Sequence, residues 1–174
     1  PSGKYLEFLN NQFAHLKTKM KLKTFICTGC NHIAFEQAPI TCPYCNSSID
    51  RFYDNSGEVN SLEDFTSIAD FEKEHFPVIN IAKETTSLNS PSKINVHIKV
   101  GERLHKMDVD DRITFIDFYF NDVNLNKKCL ARMNLNCHLT HPETTLKFNE
   151  KASGRLTVIS NCNAHGSWMA ETEI

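Results

Sequence analysis

The chain lacks any apolar run approaching the roughly 20 residues that cross a bilayer. It also lacks the charged start, apolar middle and small-residue cleavage site of a secretory signal, although Pro1-Ser2-Gly3 in place of a starting methionine leaves room for a removed segment. Neither sign of charge dominates: 19 Lys and Arg stand against 21 Asp and Glu, a net charge of -2, and the cations are dispersed. No basic face is therefore offered to nucleic acid and no polybasic run to a membrane. An apolar fraction of 40% is ordinary for a globular protein, and 174 residues allow one domain or two small ones. A disulfide framework is missing too. Of seven cysteines, four form two Cys-x-x-Cys pairs and one lies three residues before a histidine, which reads as metal ligation in a reducing, cytoplasmic setting.

The first candidate site is Phe25-Ile26-Cys27-Thr28-Gly29-Cys30-Asn31 with Cys42-Pro43-Tyr44-Cys45-Asn46. Two such turns brought face to face give four sulfurs in a tetrahedron, as in a zinc ribbon or a rubredoxin-type iron site. The residue after each second cysteine needs positive φ so that backbone amides can point at sulfur, and it is asparagine both times, Asn31 and Asn46. Before this module, Tyr5, Leu6, Leu9, Phe13 and Leu16 fall at helical spacing. After it, Asp54-Asn55-Ser56-Gly57 is a turn, and Ser61-Leu62-Glu63-Asp64 has the pattern of a helix start within a connector that runs to Phe71.

From Phe76 onward the texture is β. Strands are expected over 77–81, 94–100, 113–120, 129–133, 144–148 and 156–160, separated by turn residues and with no helical run between them. That pattern predicts an antiparallel β-sandwich of immunoglobulin-like type. The second candidate site follows the last of these strands, where Cys162-Asn163-Ala164-His165-Gly166-Ser167-Trp168 can turn a thiolate and an imidazole onto one ion. His75 and His105 also fall at strand ends, where loops of a sandwich gather. Neutral imidazoles with one thiolate suit Fe(II), and also Zn(II) if only four ligands converge.

Three ordered blocks over residues 73–174 resemble the superoxide reductases, the iron domain of desulfoferrodoxin and neelaredoxin: His75-Phe76-Pro77-Val78-Ile79, then Val100-Gly101 with His105 and Met107, then Cys162-Asn163, His165-Gly166, Trp168, Ala170 and Glu171. The four-cysteine stretch, with Phe52 and Tyr53 following it, resembles the rubredoxin-like module that ends rubrerythrins. The first resemblance implies iron held by equatorial His75, His105 and His165 and by axial Cys162, with the opposite position open to superoxide. A thiolate there pushes electron density onto iron and favours reduction of superoxide to hydrogen peroxide. Trp168 and the Asn163 and Gly166 backbone are expected to shape the loop and to donate to sulfur. The second resemblance implies iron with an electron-transfer role, zinc with a structural role being the alternative.

Two positions depart from the family pattern. Asp111 stands where a further equatorial histidine is usual; either it ligates through oxygen, or four protein ligands remain, a set that suits tetrahedral zinc. Glu74 stands where a lysine that draws in the anion is usual, with Lys73 just before it, and a carboxylate there repels superoxide. The expected organisation is thus a helix over 1–21, a four-cysteine module over 22–56, a connector over 57–72 and a superoxide-reductase-like sandwich over 73–174. The expected function is one-electron reduction of superoxide, supplied by a small electron-donor protein such as a rubredoxin or a reductase, in a chain that can form a homo-oligomer. The alternative is a non-catalytic or retuned metal-binding protein. The remaining candidates read more simply: His97 as a solvent-face residue, Cys137, His138 and His141 as loop residues, Cys129 as a small apolar side chain, and His15 and His32 without partners in the sequence.

Overall fold

The structure is a computed structural model in which residues 22–61, 68–84, 93–122 and 127–174 are described. The expected N-terminal helix with His15, and the expected helix start at Leu62 to Asp64, lie outside them. The chain divides into two units, Pro1–Gly57 and Glu58–Ile174.

In the first unit, β1 (Thr24–Cys27) is the centre of a three-stranded antiparallel sheet, flanked by β2 (Ile33–Phe35) and β3 (Phe52–Asp54). So small a sheet has little apolar surface to bury, and the buried residues described in this unit are Ile26, Cys27, Ile33, Ala34 and Cys42 with Thr24 and His32. Thr24 Oγ1 donates to the carbonyl of Asn55 at 2.8 Å, which fastens the expected turn after β3 to the sheet.

The second unit is mainly β. Its strands are β4 (Val59–Ser61), β5 (Pro77–Glu84), β6 (Lys93–Val100), β7 (Ile113–Asn121), β8 (Lys128–Asn134), β9 (Glu143–Asn149), β10 (Arg155–Cys162) and β11 (Gly166–Glu173). One helical turn, α1 (Asp70–Lys73), precedes β5; the Glu72 carboxylate accepts the Ala69 amide at 2.6 Å at its start. A five-stranded sheet runs β4-β11-β10-β7-β8 and a three-stranded sheet runs β5-β6-β9. All pairings are antiparallel except β4 with β11.

The core lies between these sheets. Ile94, Val96, Ile98 and Val100 alternate along β6 and face Ile116, Phe118 and Phe120 of β7 and Leu156 and Val158 of β10, the period-two pattern of a sandwich. β7 departs from alternation because both of its faces are buried: Phe115, Asp117 and Tyr119 are as enclosed as the core residues between them. Asp117 is charged and fully buried, and it is neutralised by Arg132 from β8, whose Nε and a terminal nitrogen lie 2.5 and 2.6 Å from its two oxygens. The Arg132 guanidinium also lies over the Phe115 ring, 3.7 Å from its centre. Among the described residues no helix is long and apolar enough to cross a membrane.

Candidate metal centres

β10 carries the main site because of its parity. Leu156 and Val158 point into the core, so Ser160 and Cys162 continue on the same face toward the end of the strand. Ser160 Oγ donates to the carbonyl of His75 at 2.7 Å, anchoring the entry to β5 against β10. A register shift pairs Cys162 with Ile113, and the chain then turns through 163–165 into β11 at Gly166, whose φ of 77° suits glycine. His165 sits in that turn. Trp168, two residue pairs back into the hairpin opposite Ser160, donates its Nε1–H to the carbonyl of His165 at 3.0 Å and stacks on the His75 ring at 4.9 Å. It therefore fixes two of the expected histidines at once. The Ala164 amide donates to the Cys162 sulfur at 3.4 Å and the His165 amide also donates to it, whereas the Asn163 amide goes to the carbonyl of Arg112.

His105 arrives by a different route. β6 gives way to a turn at Gly101, where a side-chain carbon would lie 2.2 Å from the carbonyl oxygen of Arg103 and 2.7 Å from that of Glu74, at a φ of 91°. Only glycine allows the chain to turn so close to α1. The turn is tied down by Gly101 N–H to Phe76 at 2.9 Å, Glu102 N–H to Lys73 at 3.1 Å and His105 N–H to Val100 at 2.9 Å, all to carbonyl oxygens. The His105 and His75 rings consequently lie 4.7 Å apart.

Four donor groups, His75, Asp111, Cys162 and His165, all lie within 4.8 Å of one another. His75 Nε2 is 3.0 Å from His165 Nδ1, and Cys162 Sγ is 3.5 Å from that nitrogen. Asp111 Oδ1 is 3.2 Å from the sulfur, 3.4 Å from His165 Nδ1 and 3.6 Å from His105 Nε2, which brings His105 to the edge of the group. Bonds of about 2.0 to 2.3 Å to one ion keep ligands within about 4.6 Å of each other, so the cluster fits a shared metal. The second ring nitrogens agree: His75 Nδ1 faces the carbonyl of Phe71 at 2.6 Å and His105 Nδ1 faces that of Lys106, leaving each Nε2 as the inward atom.

The electrostatics of the three groups differ. Burial pushes His75 down from the ordinary histidine value, favouring the neutral imidazole that binds metal. Burial pushes the Cys162 thiol up, with the Asp111 carboxylate adding to the shift and the Ala164 amide opposing it. Burial alone would raise Asp111, yet the Cys162 hydrogen bond, Lys106 and the neighbouring histidines outweigh it and hold the carboxyl below its usual range.

Lys73 and Glu74 point elsewhere. The Lys73 ammonium is 3.0 Å from Asp70 on its own helical turn, and the Glu74 carboxylate pairs with Arg103, a partner that the sequence did not advertise.

In the first unit, Cys27 and Cys30 face Cys42 and Cys45, all four sulfurs within 4.8 Å of one another. The Cys27 and Cys45 sulfurs are 3.6 Å apart, as are those of Cys30 and Cys42, close to the roughly 3.8 Å edge of a tetrahedron with 2.3 Å bonds. Asn31 and Asn46 have φ of 56° and 59°, and each donates its amide to the carbonyl of the first cysteine of its turn, at 2.8 and 3.1 Å. Gly29 N–H lies 3.4 Å from Cys27 Sγ. The Ser47 hydroxyl, 3.1 Å from Cys45 Sγ, is the main reason that thiol is pulled down to about 6. Buried His32 stacks on Tyr44 at 6.2 Å. Among the described residues these two are the metal-capable groups; Cys137, His138 and His141 form none, exposed His97 contacts Thr145, and Cys129 is half-buried.

The family model for desulfoferrodoxin matches residues 67–171. The chain belongs to the desulfoferrodoxin family. The superoxide reductase of Pyrococcus abyssi is 29% identical over 119 residues, 65% of this chain and 98% of that one. The superoxide reductase of Pyrococcus horikoshii is 27% identical over 107 residues, 59% of this chain and 88% of its own. Among solved structures, superoxide reductase (neelaredoxin) from Ignicoccus hospitalis superposes with a TM-score of 0.55 at 27% identity, covering 67% of this chain and 93% of that one. The desulfoferrodoxin match contains every residue of the His, Asp and Cys cluster, whereas the four cysteines at 27–45 precede it.

Proposed function

We propose that this protein reduces superoxide to hydrogen peroxide at an iron held by His75, His105, His165, Cys162 and Asp111. The observation that carries the reading is the convergence of Cys162, His75, His165 and Asp111 from three separate segments of a desulfoferrodoxin-family domain. Iron bound there supplies the single electron that superoxide takes up, and two protons complete hydrogen peroxide. The protein's part is to fix the donors. Ser160 and Phe71 orient His75, Lys106 orients His105, and Trp168 holds the His165 turn while the Ala164 amide tempers the sulfur. Lys73 and Glu74 stand on the turn into His75; with Arg103 closing on Glu74, the charge that would repel an anion is offset, while the Lys73 ammonium is held by Asp70.

The four-cysteine unit takes iron as a one-electron relay or zinc as a structural ion. Its electron comes from a small donor protein such as a rubredoxin or a reductase, and the setting is cytoplasmic. A second reading rests on Asp111: if His105 stays at the edge, His75, Asp111, Cys162 and His165 make a four-donor set for zinc, and the protein binds metal without turnover.

Metal content and absorption spectra of protein purified without oxygen separate the two. Iron lost on Cys162→Ser and retained on Cys45→Ser supports the enzyme. Zinc in both sites sinks the redox reading.

A further inference from the structure

The two oxygens of the Asp111 carboxylate are used differently. Oδ1 meets the donor cluster, within 3.2 to 3.6 Å of Cys162 Sγ, His165 Nδ1 and His105 Nε2. Oδ2 is taken by Lys106 Nζ at 3.3 Å. Lys106 directly follows His105, and the His105 Nδ1–H donates to its carbonyl, so one residue orients a histidine through its backbone and Asp111 through its side chain. The ammonium also lies 3.6 Å from Asp108, whose amide donates to the carbonyl of Asp111 at 3.1 Å, and this closes the 106–111 loop on itself.

That division matters chemically. A carboxylate can bind a metal through one oxygen or through both, and binding through both fills two positions. A histidine at this place would fill only one. We infer that Lys106 is a positioning residue that holds Asp111 to one-oxygen ligation, keeping clear the position that Oδ2 would otherwise occupy. Its charge also offsets a cluster in which a carboxylate joins a thiolate. The inference rests on the proposed reading of His75, His105, Asp111, Cys162 and His165 as the iron ligands.

The test uses the full-length, iron-loaded protein with nitric oxide as the probe of open coordination, because an uncharged ligand does not respond to loss of the lysine charge as such. Lys106 is 56% exposed, so its substitution leaves the core untouched. Lys106→Met is expected to weaken nitric oxide binding to the ferrous protein about tenfold, the scale of removing a partner that orients a ligand. It should also shift the thiolate-to-iron absorption band. Lys106→Arg, which keeps a donor for Oδ2, retains wild-type values for both, and so does Asp108→Asn. Wild-type affinity and band position in Lys106→Met overturn the inference. A change in Asp108→Asn as large as that in Lys106→Met overturns it as well, since the effect then belongs to the charge of the loop. If the band is absent from the wild type, or survives Cys162→Ser, the ligand assignment itself fails, and that outcome is distinct from the other two.

Discussion

Asn163 grips Arg112 from both sides. Its side-chain oxygen accepts the Arg112 amide at 2.8 Å, and its own amide donates to the Arg112 carbonyl at 3.1 Å. The Asn163 side-chain nitrogen reaches further back, to the carbonyl of Asp110 at 3.3 Å. One residue thus staples the loop carrying Asp111 to the hairpin carrying Cys162 and His165. Asn163→Ala should lower metal affinity at this site about 10- to 100-fold, as loss of an orienting partner does, while the four-cysteine site keeps its metal. Competition with a chelator, read site by site, checks this.

Gly101→Ala is expected to displace the His105 turn, because the new carbon meets the carbonyl oxygens of Arg103 and Glu74. A strained position of this kind costs about 1 to 3 kcal/mol. The unfolding midpoint should fall and the absorption of the metal-loaded site should change together. A drop in stability with an unaltered spectrum would mean that His105 does not depend on this turn.

The Asp117–Arg132 ion pair is buried within the β unit, with side chains 1% and 4% exposed. Asp117→Ala should destabilise by about 3 to 5 kcal/mol, since it strands a buried guanidinium. Asp117→Leu combined with Arg132→Met should recover most of that loss. Urea unfolding of the three proteins measures both values.

Glu171 gives the acid side of the stability profile a specific cause. Partial burial opposes its charge, but the Thr157 hydroxyl at 2.6 Å, Lys127 at 2.9 Å and Arg155 together hold its carboxyl below the usual 4.5. A depressed folded value means that the contribution is complete above about 4.5 and is lost as pH falls through the lower, folded value. Glu171→Gln should therefore cost about 1 kcal/mol at neutral pH, the scale of a hydrogen bond to a charged partner, and nothing once the wild-type carboxyl is protonated. Unfolding midpoints at neutral and strongly acid pH give the comparison.

Much of this was legible locally. Asn31 and Asn46 forecast the positive φ of both knuckles because the constraint lies within four residues, and the alternating runs gave six strands with ends correct to a few residues. The ordered blocks named His75, Cys162 and His165, and the family pattern pointed to Asp111; these four donors lie together. β11 escaped notice because four successive residues, Ser167 to Ala170, are buried, so the stretch shows no alternation. β4, three residues long and parallel to β11, has no local pattern at all. Pairings made only by the fold were equally silent: Arg103 with Glu74, Lys106 with Asp111, and Arg132 with Asp117, although an aspartate inside the apolar run 113–120 was a sign that a buried cation would be needed.

The central claim is that the His75, His105, His165, Cys162 and Asp111 cluster holds a redox iron that consumes superoxide. Pulse radiolysis of the anaerobically reduced protein tests it most directly. The decay of superoxide should quicken in proportion to wild-type protein and return to the buffer rate with Cys162→Ser. A decay unaffected by the wild-type protein, or equally fast with Cys162→Ser, would contradict the claim.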